Sequence, residues 1–256
     1  MSEGAWERVL SPIQGELLEM QKIVRQSLHS SKAPAAGEPG QLLTFASQHT
    51  LPSVLVLLCA RLFGPPAAPV IALAAVVHFI YLAARSHQSV QEWPGTGDPR
   101  ECYQYPVLVG DYLYSHFFNC LCRHGILSYL QPLARVICQI SEGSILRLQN
   151  NKEISRAELL RKAALKEGAL LLGESCRLAA RLCGASEEEE EILYRFGLNY
   201  GMALVLNDLG FEVRAYVEKA LALLDRLPLG EAREALKELV VLWYQAARPD
   251  LALQVV

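Results

Sequence analysis

From Ala67 to Ala84 the chain reads AAPVIALAAVVHFIYLAA, eighteen residues in which His78 is the only strongly polar side chain. A run of that length is about the threshold for a helix that crosses a bilayer. It stops abruptly at Arg85-Ser86-His87-Gln88-Ser89. Either the run spans lipid or it is a helix enclosed in protein, and enclosure needs a large core. The chain of 256 residues, 52% hydrophobic and 20% charged, is long enough to build one.

Apolar residues recur almost everywhere with helical period, and convincing alternation of apolar and polar residues is absent, so the fold class expected is all-α. A first helix is expected to start at Ser11, as N-cap, and Pro12, with Ile13, Leu17, Leu18 and Ile23 on its inner face. The expected organisation is an N-terminal helix (1–28), a flexible linker (29–41, within HSSKAPAAGEPGQ) and one helical domain (42–256). A helix from near Pro52 ends at Gly64-Pro65-Pro66, and the long apolar helix follows. Gln91 to Tyr105 reads as a loop because Pro94, Gly95, Gly97 and Pro99 do not continue a helix. Further helices are expected near 106–123, 126–149, 155–184, 187–209 and 212–246. Ser155 with Glu158, and Ser186 with Glu189, are spaced as capping boxes.

With 24 basic and 27 acidic side chains, the net charge of −3 gives no electrostatic case for nucleic acid. The seven cysteines, at 59, 102, 120, 122, 138, 176 and 183, include no CxxC pair and are expected to be reduced core residues of a cytoplasmic protein. The N-terminal residues do not read as a signal peptide. Glu187 to Glu191 is a solvated helix start, since carboxylates there face the positive end of the helix dipole. No phosphate loop, GxGxxG or nucleophile elbow is present. The remaining candidates for chemistry are Asp111, expected to make one buried or capping hydrogen bond, and Asp208 with Glu212, expected on one helical face. Two carboxylates are a thin site for Mg²⁺ on a phosphate, which needs more oxygen ligands about it.

In order and spacing, LPSVLVLLCARLFG, VLVGDYLYSHFF, SEGSILRLQ, KEGALLLGESCRLAARLCGAS and FGLNYGMALVLNDL resemble the trans-isoprenyl diphosphate synthases, over roughly 42–212. The resemblance implies a bundle of about ten helices around a central cavity. Members that elongate prenyl chains carry GGKRLRP, where this chain has Ala46-Ser47-Gln48-His49-Thr50-Leu51-Pro52. They carry a DDxxD that binds Mg²⁺ and the allylic diphosphate, where this chain has Arg85-Ser86-His87-Gln88-Ser89. The arginine pair that follows is replaced within Glu92-Trp93-Pro94-Gly95-Thr96. Of the second aspartate-rich motif only the outer acids, Asp208 and Glu212, remain. Lys166 lies near the family's Lys-Thr position, with Glu167 in place of the threonine and a register off by one residue.

These departures imply no catalytic and no metal-binding residues in this chain. Losing one strong electrostatic stabiliser commonly costs on the order of a hundredfold in rate, and here most are missing. The resemblance extends to the non-catalytic component I of two-component heptaprenyl diphosphate synthases, which lacks both metal motifs. It implies a regulatory subunit paired with a catalytic component II, with Mg²⁺ bound by that partner. The pair would build the prenyl chain of menaquinone in the cytoplasm, with the isoprenoid product at the shared interface and membrane contact at most peripheral. The interface is expected along the helices near 106–123 and 126–149, with Asp111, Tyr112, Tyr114, Phe117 and Phe118 as structural or interface candidates. Two alternatives stay open: slow prenyl transfer through Asp208, Glu212, Asp111 and Lys166, and a membrane hairpin over Val54 to Ala84.

Overall fold

The structure is a computed structural model that describes residues 3–30, 44, 46, 47, 49–90, 98, 100, 104–149 and 154–247. Among these residues it is helical, with no strand. The α-helices are α1 (Glu3–Leu10), α2 (Gln14–Ser30), α3 (Leu51–Arg61), α4 (Ala68–Gln88), α5 (Gln104–Arg123) and α6 (Leu130–Leu148), followed by α7 (Arg156–Ala164), α8 (Leu170–Leu182), α9 (Glu187–Asp208), α10 (Arg214–Leu224) and α11 (Glu231–Ala247). A 3-10 turn (Ser11–Ile13) joins α1 to α2, and a π turn (Leu165–Ala169) joins α7 to α8. His29 and Ser30, expected to begin the linker, continue α2 instead; the rest of the expected linker and most of the 91–105 loop, including Trp93, Pro94 and Cys102, fall outside the described residues.

The first helix corrects the expected start. It begins upstream of Ser11, which sits inside the 3-10 turn and caps nothing. Pro12 lacks an N–H, so the rod tightens there instead of beginning there. Its inner face is Val9, Ile13, Leu17, Met20 and Val24, while Leu18 points outward.

Helix α4 is the centre of the molecule. Its residues 70–80 are all buried, and α2, α3, α5 and α8 pack around it. Each Val, Leu, Ile or Phe removed from water there contributes about 1.5–3 kcal/mol. Ser53 Oγ of α3 donates to the Ala74 carbonyl at 3.0 Å, satisfying a hydroxyl that the packing buries. By length and composition α4 passes the test for a membrane span, but 78% of its apolar window is buried inside the protein. The hairpin reading of Val54 to Ala84 therefore lacks the lipid-facing surface it requires. The imidazole of His78 lies in this core, 2% exposed, held near the Ala46 backbone, and burial lowers its pKa to about 4.

Among the cysteines, Cys59, Cys120 and Cys176 are buried as expected, whereas Cys122 and Cys138 are exposed on the outer faces of α5 and α6. Helix α9 starts with the full capping box between Ser186 and Glu189. Its first-turn glutamates are solvated or pair with Arg177, Arg181 and Arg226, as a helix start rather than a metal cluster. At Ser155 only half of the box forms, the side chain accepting from the Glu158 N–H. Helices α8 and α9 meet at close range: a Cβ on Gly197 would lie 2.5 Å from the Leu172 carbonyl oxygen.

Candidate functional site

The C-terminal ends of α4, α6 and α9, the π turn, and the start of α3 enclose a cavity of about 250 Å³. Tyr81, Arg85 and Gln88 reach it from one face of α4, spaced as residues on consecutive turns must be. Gly201, Leu204, Val205 and Asp208 face it from α9, Arg147 from α6, Glu167 and Gly168 from the π turn, and Trp243 from α11.

Arg85 makes no ion pair among the described residues, and its charge is felt by the Tyr81 phenol. Burial raises the pKa of Tyr81, Arg85 opposes that rise, and Asp208 adds to it. Deeper in the cavity, Arg147 Nε lies 3.2 Å from Glu167 Oε1, whose side chain is only 6% exposed. Burial raises the Glu167 pKa above the usual carboxylate range, and Arg147 works against it.

The π turn decides which residue enters. A π turn holds one residue more than the same turn of α-helix, and here it sends Lys166 and Glu167 in different directions. Lys166 Nζ donates to Gln139 Oε1 at 2.7 Å and to Glu142 Oε2 at 2.6 Å, against α6 and outside the cavity lining. Glu167 takes the cavity side.

The remaining degenerate positions are used locally. Ser86 Oγ donates to the Pro106 carbonyl at 2.8 Å, and Ser89 Oγ donates to the Ser86 carbonyl at 2.7 Å. His87 Nε2 lies 3.3 Å from the Val107 carbonyl and 3.4 Å from Asp111 Oδ1. Asp111 is thus 65% exposed in its side chain and paired to His87, which corrects the expected buried hydrogen bond: it falls on the outer stripe of α5.

Asp208 and Glu212 do not share a helical face. Helix α9 ends at Asp208, and the chain turns through Gly210 at φ +79°, a left-handed conformation that glycine adopts without strain. Glu212 Oε1 then accepts from the N–H groups of Val213 and Arg214 at 2.8 and 2.9 Å, leading into α10. Among the described residues no group of three or more His, Cys, Asp or Glu is placed to hold a metal ion. The donor set of the cavity, with one rim carboxylate, one carboxylate committed to Arg147, and two guanidinium groups, does not fit Mg²⁺.

The aromatic candidates divide by the period of α5. Phe117 is fully buried and is core, which removes it from the exposed surface. Tyr112 is half-buried, its hydroxyl donating to the Leu28 carbonyl at 3.3 Å, and Tyr114 is half-buried beside the His87 ring. Only Phe118, 49% exposed, points outward, in a stripe with Val107 and Leu108. Reading the sequence alone missed Tyr81, Arg147 and Trp243 as cavity residues; Arg147 lies within the SEGSILRLQ block, but nothing local marks its direction. A second cavity, of about 540 Å³, lies between α2, α4 and Thr44, Ala46, Ser47 and Thr50, with Arg25 and His78 on its wall.

The family described as Polyprenyl synthetase matches residues 102–208. The octaprenyl diphosphate synthase of Escherichia coli is 27% identical over 163 residues, covering 60% of this chain and 50% of that one. Component 2 of the heptaprenyl diphosphate synthase of Geobacillus stearothermophilus is 25% identical over 201 residues, covering 75% and 62%. The chain thus spans about half the length of the first relative and under two thirds of the second. The crystal structure of a decaprenyl diphosphate synthase from Rhodobacter capsulatus superposes with a TM-score of 0.80 at 19% identity, covering 94% of this chain and 99% of that one. The enclosed α4, the cavity at the helix ends and these likenesses agree on the fold: the chain has the all-α architecture of that decaprenyl diphosphate synthase structure, and its residues 102–208 are similar to the Polyprenyl synthetase family.

Proposed function

We propose that this chain is a non-catalytic regulatory subunit of a trans-polyprenyl diphosphate synthase and acts with a catalytic component of the component II type. The observation that carries the reading is Arg85. A guanidinium stands at the end of α4, on the cavity, where the resemblance calls for carboxylates, and Asp208 is left as a single rim acid. Departure of a diphosphate needs cations gathered by several oxygen ligands, and this cavity offers none of that arrangement. The similarity to component 2 of a two-component heptaprenyl synthase supports a partner of that class.

In this reading Mg²⁺ and the bond-making residues belong to the partner, and the complex makes a long prenyl diphosphate of the kind menaquinone requires. It works in the cytoplasm, with at most peripheral membrane contact where product leaves. The partner covers the outer stripe of α5, where Val107, Leu108 and Phe118 are exposed together, and the neighbouring outer face of α6. Contributing a wall beside the partner's cavity, this chain helps set product length. The alternative of slow prenyl transfer by this chain alone draws little from the geometry, since Asp208, Glu212, Asp111 and Lys166 lie in four separate settings.

The test is to assay this chain and the catalytic component of the same organism separately and mixed, with allylic and isopentenyl diphosphates and Mg²⁺. The expected result is product from the mixture and none from this chain alone. Robust turnover by this chain alone, or undiminished activity of the partner without it, overturns the proposal.

A further inference from the structure

The cavity holds two guanidinium groups in unequal states. Arg85 makes no ion pair among the described residues, whereas Arg147 is occupied by Glu167 at 3.2 Å. Glu167 carries a desolvation cost here: its side chain is almost wholly buried, and burying a carboxylate is unfavourable unless a cation compensates it. The π turn aims it at Arg147 instead of solvent, while Lys166 is drawn off by Glu142. Without the Glu167 charge the cavity would present Arg147 and the exposed Arg85 at its rim as two uncompensated cations, with the Tyr81 phenol and the Gln88 amide beside them, a donor set suited to phosphate oxygens.

We propose that Glu167 is a built-in counter-ion that keeps this arginine site closed to anions, and that with the carboxylate neutral the cavity takes a phosphate or diphosphate group without a divalent metal. The two arginines do the work that metal ions would do elsewhere, because guanidinium groups bind phosphate oxygens directly. The closed state leaves the chain unable to compete with a catalytic partner for diphosphate ligands. The claim concerns this chain by itself, so a failed binding test leaves the two-component assay untouched, and the reverse also holds.

The experiment is calorimetric titration of the full chain in EDTA with inorganic diphosphate, and in parallel with farnesyl diphosphate. It compares the wild type, Glu167→Gln, and Glu167→Gln combined with Arg147→Ala. Glu167→Gln is expected to bind inorganic diphosphate at least about tenfold more tightly than wild type, and the double variant to lose that gain. A gain for both ligands assigns recognition to the headgroup. A gain confined to farnesyl diphosphate assigns the site to lipid-linked diphosphate, and either result supports the counter-ion role. Binding of both ligands by Glu167→Gln no tighter than by wild type, or a gain that survives loss of Arg147, overturns it. If thermal unfolding shows that Glu167→Gln does not fold, Glu167→Ser is titrated in the same series and read in the same way.

Discussion

His78 shows what enclosure does to one residue. With its imidazole in the α4 core, burial lowers the pKa to about 4 against 6.5 in an exposed histidine. An unfolded chain therefore takes up a proton that the folded chain refuses. The stabilisation is fully present above about pH 6.5 and is lost as the pH falls toward 4, by roughly 3 kcal/mol over that window. His49 and His116, also lowered by burial, act with the same sign. Urea unfolding at pH 7 and pH 4.5 is expected to show the loss, and His78→Leu to reduce its size; an unchanged pH slope in the variant would remove His78 as a contributor. A histidine in an apolar run can be read as core directly from its neighbours. Asp111 could not be read so, because its apolar neighbours in sequence lie on other faces of the helix and its contact, His87, is 24 residues away.

At the scale of elements, periodicity marks helices well and their distortions poorly. The capping box of α9 is local chemistry and was legible from Ser186 and Glu189 alone. The π turn was not, because a single extra residue in a turn leaves the apolar pattern almost intact while exchanging which side chain faces inward. The close meeting of α8 with α9 is likewise a relation between two elements. A methyl group on Gly197 would meet the Leu172 carbonyl at 2.5 Å and the Cys176 sulfur at 2.9 Å. Gly197→Ala is expected to cost about 1–3 kcal/mol by forcing the helices apart, measured by denaturant unfolding. Neutral stability would mean the pair has slack that the packing does not suggest. The break at Asp208 belongs here too: Asp208 and Glu212 are four residues apart, yet a glycine turn separates them into a cavity rim and a helix-start acceptor.

For the molecule as a whole, several of the large apolar side chains left exposed once the core is complete lie on α5 and α6. Leu108 is 60% and Leu148 is 83% exposed, on helices whose opposite sides are well packed. Phe118→Glu is expected to abolish co-purification with the catalytic component while changing the stability of the isolated chain by no more than about 0.5 kcal/mol, because the ring is already half in water. Retained association with unchanged stability would move the interface elsewhere. The same account of surfaces bears on α4: an apolar helix of 21 residues fits a bilayer by length, and the protein around it supplies the apolar surroundings instead.

The sequence by itself determined that the chain is all-α, where most helices run and which stretch forms the central helix, because helical period and residue identity are local properties. Only the tertiary structure decided that Arg85, Arg147, Glu167 and Asp208 share one cavity, that Lys166 and Glu212 do not take part in it, and that Phe118 faces out while Phe117 faces in. Those outcomes depend on how far apart helix ends come to rest and on one-residue rotations about a helix axis, and both are fixed by packing between segments far apart in the chain.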